Sequence, residues 1–448
     1  MERVKFVLIS PTSPLHRVQS GERPRGSRYF RFSMLSSLYV AAAMPPGVET
    51  DLIDEDIREV DFDTDADLIG ITFMTYNAPR AYAIADRFRK DKGKPVIVGG
   101  YHPTFLPYEA IQHADAVCIG DAEDTVPRMM QDLKAGALKP FYRSELPGLA
   151  GLRRLDRRLI RARDYAPVDA VQATRGCSQH CTFCSVTSFN KHRHRTRPVP
   201  EVIDELNTLG TRIQFMDDSL LDDLDYAREL FSAMIPLRKQ WFSQCGLQIA
   251  QDAELLDLAC RSGCRGLFIG FETLSQPGLR SWGKLMNVGK DYLAIVEGLH
   301  SAGIAVFAGL VFGSDEDRPD VSERTLQFLL QANVETLQAT RLTPFPGTAL
   351  FEQMDRDGRI FDKDWSHYDF NYVVFEPTHM SPSTLDAGVA WVVREFHTTS
   401  RVRARVWKCL HYLDPWVVLG GVVPINLGFQ RGYARGGTFE RAKRFQHT

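Results

Sequence analysis

The 448-residue sequence lacks a long apolar segment. The longest apolar stretch near the C-terminus runs from Trp416 to Val423, contains two glycines and ends before Pro424. A membrane-spanning helix needs about 20 apolar residues. At the N-terminus the apolar run covers only Phe6 to Ile9, which predicts a β-strand and not a secretion signal. We therefore expect a cytoplasmic protein without a transmembrane segment.

The sequence also lacks an excess of charge of either sign. Its 54 Lys and Arg residues and 56 Asp and Glu residues leave a formal net charge of −2. A nucleic-acid-binding protein carries a basic surface, so we expect no nucleic-acid partner. Hydrophobic residues make up 44% and charged residues 25%, which is typical of a globular protein with a core. A chain of this length is expected to form about two or three domains.

Cysteine is scarce and unevenly distributed. In a reducing compartment, thiols that are close in sequence more often bind metal or do chemistry than form disulfides. The three cysteines within residues 177–184 are therefore the candidate metal ligands. The eight cysteines are Cys118, Cys177, Cys181, Cys184, Cys245, Cys260, Cys264 and Cys409.

Residues 1–140 alternate short apolar runs with helical patterns, which predicts an N-terminal Rossmann-like, doubly wound parallel sheet. Such sheets bind ligands beyond the carboxyl ends of their strands. The segments expected there are rich in Gly, Thr, Asn and acidic residues: Thr72–Asn77, Gly99–Thr104 and Gly120–Thr125. The predicted strands are Val4–Ile9, Asp51–Ile53, Leu68–Phe73, Pro95–Val98 and Ala116–Ile119.

The rest of the chain divides into three segments. Residues 141–166 contain Pro147, glycines and a basic run, which predicts a linker. Residues 167–345 repeat a strand–helix pattern six times, which predicts a partial (β/α)6 barrel with functional residues at the strand carboxyl ends. Residues 346–448 are expected to form a small, mostly helical C-terminal region. The predicted barrel strands are Asp169–Ala173, Ile213–Met216, Ser243–Gln248, Gly266–Phe271, Ile304–Phe312 and Thr336–Leu342.

The cysteine cluster follows the first barrel strand directly. Cys177, Cys181 and Cys184 are spaced so that one loop can surround a cube-shaped iron–sulfur cluster. Three cysteine ligands leave the fourth iron open to a small molecule, which a four-cysteine electron carrier does not allow. The alternative is a structural zinc site, which normally takes four protein ligands. Its candidates for the fourth ligand are His180, His192 and His194.

These residues carry a family resemblance. The cysteine spacing, with Phe183 just before the third cysteine, resembles the signature of the radical S-adenosylmethionine superfamily. The resemblance implies a [4Fe–4S] cluster on the three cysteines. It also implies that S-adenosylmethionine is bound by Phe183, Asp217, Asp218, Gln248 and Glu272. Further stretches similar to the family's barrel motifs are Gln214–Asp218, Gly270–Thr273, Gly303–Gly313 and Thr343–Thr348.

Two of these assignments have structural alternatives. The pair Asp217 and Asp218 is followed closely by Ser219, so its acids are also typical of a helix N-terminus. Glu272, at the end of the fourth predicted barrel strand, is equally suited to a salt bridge at the barrel rim.

The order of the domains, a doubly wound domain and then the cysteine barrel, resembles the cobalamin-binding branch of the superfamily. Val96–Thr104 and Gly120–Glu123 look like this branch's Gly-Gly-x-His-x-Thr and Gly-Glu-x-Glu stretches. One departure is that Asp54–Glu59 contains no histidine, so no residue is identified as a cobalt ligand. The alternative is a domain that binds no cofactor and only docks on the barrel. The implied cobalamin contacts are Thr72, Thr75, Gly99, Gly100, His102, Thr104, Gly120 and Glu123.

The whole pattern is most similar to the class B, hopanoid-methylase-like enzymes. Phe215–Ser219 and Ala250–Leu256 carry that similarity. It implies cobalamin-dependent methyl transfer to an unactivated carbon through a 5′-deoxyadenosyl radical, with a reductase or flavodoxin-type electron donor. The alternatives are a radical cyclisation or rearrangement in the same scaffold, and a non-catalytic iron–sulfur electron carrier. No catalytic residue beyond the cofactor ligands is identified.

The C-terminal region has two features of interest. Residues 351–372 are rich in aromatics, which predicts core packing of a small cap or, alternatively, a wall for an apolar or lipid-like substrate. The stretch Trp416–Phe429 precedes a basic end containing Arg431, Arg435, Arg441, Lys443 and Arg444. We expect this stretch to pack on the barrel, with contact to a membrane surface as the alternative.

Overall fold

The protein is described by a computed structural model that covers residues 4–13, 31 and 34–435. Two six-stranded, all-parallel sheets dominate this part of the chain, one in each of two successive domains. The first sheet has the strand order β2-β1-β3-β4-β5-β6. Its strands are β1 (Lys5–Ser10), β2 (Glu49–Asp54), β3 (Leu68–Thr72), β4 (Val96–Gly99), β5 (Ala116–Ile119) and β6 (Phe141–Arg143).

The first sheet is buried on both faces, as its continuous apolar strands predict. Alternate residues of β1 point to opposite sides, so Phe6 and Leu8 pack under helices α1 (Leu35–Ala43) and α5 (Ala122–Lys134). Val7 and Ile9 face α2 (Ala78–Asp86) on the other side, with the short helices α3 (Tyr101–Phe105) and α4 (Pro107–Ala110) following β4. The predicted doubly wound α/β fold is therefore confirmed.

The sixth strand requires a correction. β6 lies inside residues 141–166, which the sequence predicts to be a linker, and it pairs in parallel with β5. Only Tyr142 of its three residues is buried. An edge strand this short contains no apolar run, so sequence periodicity does not reveal it.

The second sheet forms the predicted partial barrel, with the order β7-β10-β11-β12-β13-β14. A two-stranded antiparallel ribbon, β8 with β9, is inserted after its first strand. The strands are β7 (Asp169–Val171), β8 (Thr174–Arg175), β9 (Arg195–Thr196), β10 (Arg212–Phe215), β11 (Gln240–Cys245), β12 (Cys264–Glu272), β13 (Ala305–Phe312) and β14 (Thr336–Arg341).

Helices cover the outside of this barrel, and their apolar sides fill one large core with the strands. They are α7 (Val199–Asn207), α8 (Leu224–Met234), α9 (Ala253–Ser262), α10 (Gln276–Ser281), α11 (Tyr292–Ser301) and α12 (Val321–Ala332). The short helix α6 (Ser185–Phe189) lies apart from this core, and its Phe189 contacts Tyr101 and Phe105 of the first domain.

The C-terminal region is mostly helical and contacts both domains. Trp365 reaches the first domain, where its indole N–H donates to Glu109 Oε1 at 3.1 Å. The last helices pack against Ala305 at the start of β13. The packing that the sequence predicts for Trp416–Phe429 is thus present, while the basic residues after position 435 lie outside the described residues. The helices are α13 (Ala349–Arg356), α14 (Pro382–Phe396), α15 (Thr399–Cys409), α16 (Pro415–Val417) and α17 (Val423–Arg435).

No helix in the described part of the chain is both long and apolar enough to cross a membrane.

Candidate functional site

The cysteine loop is held by backbone contacts on both sides. Gly176, just before Cys177, has a φ of +86°, and a Cβ at this position would lie 2.2 Å from the carbonyl oxygen of Arg193. The Gly176 N–H donates to Asp218 Oδ2 at 2.8 Å, and the Ser178 N–H donates to Asp222 Oδ2 at 2.8 Å. Two acids that follow β10 therefore fix the start of the loop.

The three thiols of this loop are free of disulfides and partly or fully buried. Burial raises the pKa of the Cys177 thiol to about 12 and that of the Cys181 thiol to about 11. Thiols of this kind are deprotonated when they bind metal, because the metal charge replaces the lost proton. Three soft sulfur donors on one loop fit three irons of a [4Fe–4S] cluster.

The histidines proposed for the zinc alternative have other contacts. The rings of His180 and His192 stack with centroids 4.4 Å apart, and His192 Nδ1 lies 3.0 Å from the Gln179 carbonyl oxygen. His194 Nε2 lies 3.1 Å from the Ser219 carbonyl oxygen. Each of these histidines is therefore engaged within the loop region.

A lysine that the sequence did not single out lies beside the thiols. Lys284 Nζ donates to Glu272 Oε1 at 2.8 Å, so the rim salt bridge suggested for Glu272 exists. Burial alone would lower the pKa of Lys284, because it disfavours the charged form. The attraction of the ammonium to Glu272 and to the Cys181 and Cys184 sulfurs is the larger effect, so the pKa of Lys284 is raised. Glu272 also has a φ of +64° at an irregular register of β12, which turns its side chain toward this group. Phe183 lies here as well, edge-on to Trp282 at 5.2 Å.

The two acids after β10 differ in their surroundings. Asp217 is buried, and its carboxylate accepts hydrogen bonds from the backbone N–H groups of Ala173 and Thr174. Burial raises the pKa of Asp217 to about 7. Asp218 instead lines an open cavity. The geometry therefore assigns Asp217 to bracing the end of β7 and leaves Asp218 as the acid that can face a ligand.

Gln248 lies in a turn of helix, Leu247–Gln251, and not at the end of a strand as predicted. β11 ends earlier, at Cys245, because Gly246 follows and breaks the pairing. The side-chain oxygen of Gln248 is buried without a hydrogen-bond partner among the described residues. A buried acceptor of this kind is suited to a ligand that donates hydrogen bonds.

A cavity of about 1150 Å³ lies between the two domains. The loops after β1, β3, β4 and β5 line it on one side, and the barrel contributes Gln172, Arg175, Met216 and Asp218 on the other. One branch enters the first domain between its sheet and helices α1 and α5. The side chains and glycine along that branch are Leu8, Gly70, Ile97, Cys118, Val126 and Met129.

Small residues shape this cavity where a bulky cofactor would approach the backbone. Gly100 has a φ of +105°, and a Cβ there would lie 2.6 Å from the carbonyl oxygen of Phe73. Gly99, Gly120, Thr72 and Glu123 line the cavity as well. The slot between sheet and helices and the glycine edge above it fit a corrin with its nucleotide tail.

Three residues predicted to contact cobalamin do not line this cavity: Thr75, His102 and Thr104. His102 is fully buried, and its Nε2 lies 3.0 Å from Tyr82 Oη and 3.1 Å from Glu109 Oε1. Its ring also packs edge-on to Trp365. These contacts join α2, α4 and the C-terminal region, and a contact of His102 with cobalamin stays a prediction. Thr104 acts indirectly, since its Oγ1 accepts a hydrogen bond from the Gly120 N–H at 3.0 Å.

An ion-pair network across the domain boundary was not anticipated from the sequence. Asp121, after β5, contacts Arg175 at 3.1 Å and Arg195 at 2.6 Å. Arg175 also contacts Glu123 at 2.9 Å, and it directly precedes Gly176 and Cys177. Three of these residues, Arg175, Asp121 and Glu123, line the cavity. The network therefore ties the loop after β5 to the cysteine loop.

Known proteins combine the same two domains. Residues 26–129 match the family described as B12 binding domain, and residues 171–327 match the Radical SAM superfamily. A bacteriochlorophyllide d C-12(1)-methyltransferase of Chlorobaculum tepidum is 31% identical over 417 residues, which cover 90% of each chain. The chain belongs to the cobalamin-dependent radical S-adenosylmethionine methyltransferases.

More distant members of this methyltransferase family agree in sequence and in fold. The hopanoid C-2 methylase of Rhodopseudomonas palustris is 25% identical over 73% of this chain and 65% of its own. The solved structure of TsrM from Kitasatospora setae, a radical S-adenosylmethionine methyltransferase, superposes with a TM-score of 0.65 at 15% identity, covering 93% of this chain and 90% of the other. The enzyme thus uses a [4Fe–4S] cluster, S-adenosylmethionine and cobalamin to methylate unactivated carbon, and the electron-carrier alternative is excluded.

Proposed function

We propose that this methyltransferase acts on a large, rigid, mostly apolar polycyclic substrate, and that a tetrapyrrole pigment of the bacteriochlorophyllide type is its first candidate. The relative with 31% identity acts on bacteriochlorophyllide d, and a more distant relative acts on a hopanoid. Both substrates combine an extended ring system with few polar groups. The shared chemistry supports a flat, apolar acceptor.

The observation that carries this proposal is the single cavity between the domains. It joins the glycine edge of the first domain to Asp218 and Met216 at the barrel mouth, so a methyl carrier and a radical source can serve one bound substrate. Apolar groups meet there: Met74 and Met216 line the cavity and are exposed, and Tyr101 stacks on Phe189 at 4.5 Å. Apolar side chains that meet in a cavity give a rigid, mostly apolar ligand a surface on which to pack.

Within this site different residues are suited to hold different cofactors. When bound, the cofactors supply the electron, the radical and the methyl group that the protein side chains do not provide. Cys177, Cys181 and Cys184 are suited to hold the cluster. We assign the polar contacts with S-adenosylmethionine to Asp218, Gln248 and Glu272.

The remaining residues set the spacing and exclude water. The Asp121 network holds the first domain against the cysteine loop, so that the two cofactor sites keep a fixed separation. The side chains of Met74, Met216 and Phe189 shield the space between them from water, which protects a reactive carbon from side reactions.

The test is an anaerobic assay of the full chain reconstituted with iron, sulfide and cobalamin, with dithionite as the reductant. S-adenosylmethionine carrying a deuterated methyl group is supplied with bacteriochlorophyllide d, with a hopanoid in parallel. We expect one labelled methyl group on the pigment, together with 5′-deoxyadenosine and S-adenosylhomocysteine. Cys184→Ala is the matched control and should give none of these products.

Two outcomes would revise the proposal. Labelling of the hopanoid without labelling of the pigment would overturn the tetrapyrrole assignment. A changed pigment skeleton without S-adenosylhomocysteine would favour cyclisation or rearrangement. We further propose a flavodoxin-type electron donor, which should replace dithionite when flavodoxin and its reductase are added.

A further inference from the structure

Large apolar side chains are exposed in one part of the C-terminal region, residues 399–427. Five of the twelve large hydrophobic residues that are exposed in the described part of the chain lie there. Trp407 is 68% exposed and Trp416 is 75% exposed, whereas the buried tryptophans Trp241 and Trp282 belong to the barrel core. We call the exposed set the tryptophan surface: Trp407, Leu410, Trp416, Leu419 and Leu427.

A packed core lies beneath this segment, so a missing core does not explain the exposure of these side chains. The opposite side of α15 and of the turns after it is buried through Cys409, Leu413 and Val418, which pack together on Ala305. The segment therefore has two apolar sides, and the barrel covers only one of them. A helix of a soluble protein normally shows a polar outer face, so a second apolar side indicates a surface that contacts something else.

Charge around the tryptophan surface indicates what that partner is. Residues 398–448 contain nine Lys and Arg residues but only two Asp and Glu residues, although the whole chain has 54 and 56. Arg403 and Lys408 are exposed on either side of Trp407. Asp414, one of the two acids, caps the turn at Trp416. Its Oδ1 accepts a hydrogen bond from the backbone N–H of Trp416 at 2.8 Å. The C-terminal end thus carries an excess of positive charge, although the chain as a whole is slightly acidic.

We infer that the tryptophan surface docks on an anionic lipid membrane, with both indoles at the level of the headgroups. Tryptophan favours this interface because one part of its ring is apolar and its N–H is polar. Basic residues near an anionic surface add electrostatic attraction. A second copy of the chain is a poorer partner, because a symmetric contact would place Arg403 and Lys408 of one copy against the same residues of the other.

The test measures binding of the full-length holoenzyme to vesicles of phosphatidylglycerol and phosphatidylcholine, and to vesicles of phosphatidylcholine alone. We expect co-sedimentation with the anionic vesicles and a blue shift of tryptophan fluorescence, both weakened by salt. The variant Trp407→Ala/Trp416→Ala should bind at least about tenfold more weakly, which corresponds to about 1.4 kcal/mol. Arg403→Glu/Lys408→Glu, which keeps the indoles, should weaken binding only to the anionic vesicles.

The matched control is Tyr108→Ala/Leu285→Ala, which removes two exposed apolar side chains elsewhere. It should bind vesicles like the unchanged protein. Equal binding by the control and the double tryptophan variant would overturn the inference. The absence of vesicle binding would also overturn the inference. This holds whether the protein is then monomeric or forms a dimer that the tryptophan substitutions dissociate. The test is independent of the substrate proposed above, because it needs no turnover.

Discussion

The ion pairs at the domain boundary give the sharpest prediction. Asp121 is 4% exposed and Arg175 12% exposed, and Asp121 also contacts Arg195. Asp121→Asn keeps the shape of the side chain but leaves two buried guanidinium groups without their shared carboxylate. Removing one partner of a buried pair costs about 3–5 kcal/mol. Since Arg175 keeps Glu123, and Arg195 keeps the Pro147 carbonyl oxygen, we expect the lower end, about 3 kcal/mol.

The assay is thermal unfolding of the protein without cofactors, followed by measurement of bound cobalamin after reconstitution. With about 2.1 cal/mol/K of unfolding entropy per residue, a loss of about 3 kcal/mol should lower the melting temperature of the 448-residue chain by about 3 °C. Because the network connects the cavity to the cysteine loop, the variant should also retain less cobalamin. The matched control is Asp51→Asn, which breaks the solvent-exposed pair of Asp51 with Arg58 at 2.7 Å. Exposed pairs contribute about 0–1 kcal/mol. If Asp121→Asn is no more destabilising than Asp51→Asn, the network does not hold the domains together.

Three further predictions test the cofactor sites and the titration of a buried residue. Replacing Cys177, Cys181 or Cys184 by alanine should abolish cluster binding in iron and sulfide analysis. The control Cys260→Ala, on α9, should retain the cluster, and loss of iron in this variant would count against the assignment. Gly100→Ala should lose bound cobalamin, because its Cβ would lie 2.6 Å from the Phe73 carbonyl oxygen. The control Gly47→Ala has a similar φ of +88°, but no atom lies within 4 Å of its added Cβ, so it should bind cobalamin normally. Equal binding by both variants would contradict the steric argument. Burial lowers the pKa of His397 to about 4 from its ordinary 6.5. Between these pH values the unfolded chain binds a proton that the folded protein does not. The free energy of unfolding therefore falls as the pH is lowered through this window. Between pH 7.5 and 4.5 that fall should be about 2–3 kcal/mol smaller in His397→Phe in urea unfolding, and an unchanged pH dependence would contradict the assigned cause.

Local patterns in the sequence determined much of the architecture. Short apolar runs alternating with helical patterns predicted five of the six strands of the first sheet, β1 to β5, and all six barrel strands, because parallel strands covered by helices are rich in buried apolar residues. The cysteine spacing predicted the cluster ligands in the same way, since one short loop contains all three thiols. Both signals are complete within a few residues of the chain.

The tertiary structure decided which neighbours of these motifs face a ligand. His102 lies in a stretch that resembles a cobalamin motif, yet its ring is buried against Tyr82 and Trp365. Asp217 and Asp218 are adjacent in sequence, but only Asp218 lines the cavity. Which way a side chain points depends on the packing of distant segments, which sequence periodicity does not contain.

The cysteine cluster and the surroundings that position it illustrate this division. Three thiols and their spacing predict the metal site from the sequence alone. The ion pairs that join Arg175 to Asp121 and Glu123 connect residues far apart in the chain. Such pairs form only after the two domains have folded and docked, because each partner satisfies its charge through the other. The sequence by itself therefore predicts the ligands, and the tertiary structure alone decided what holds them in place.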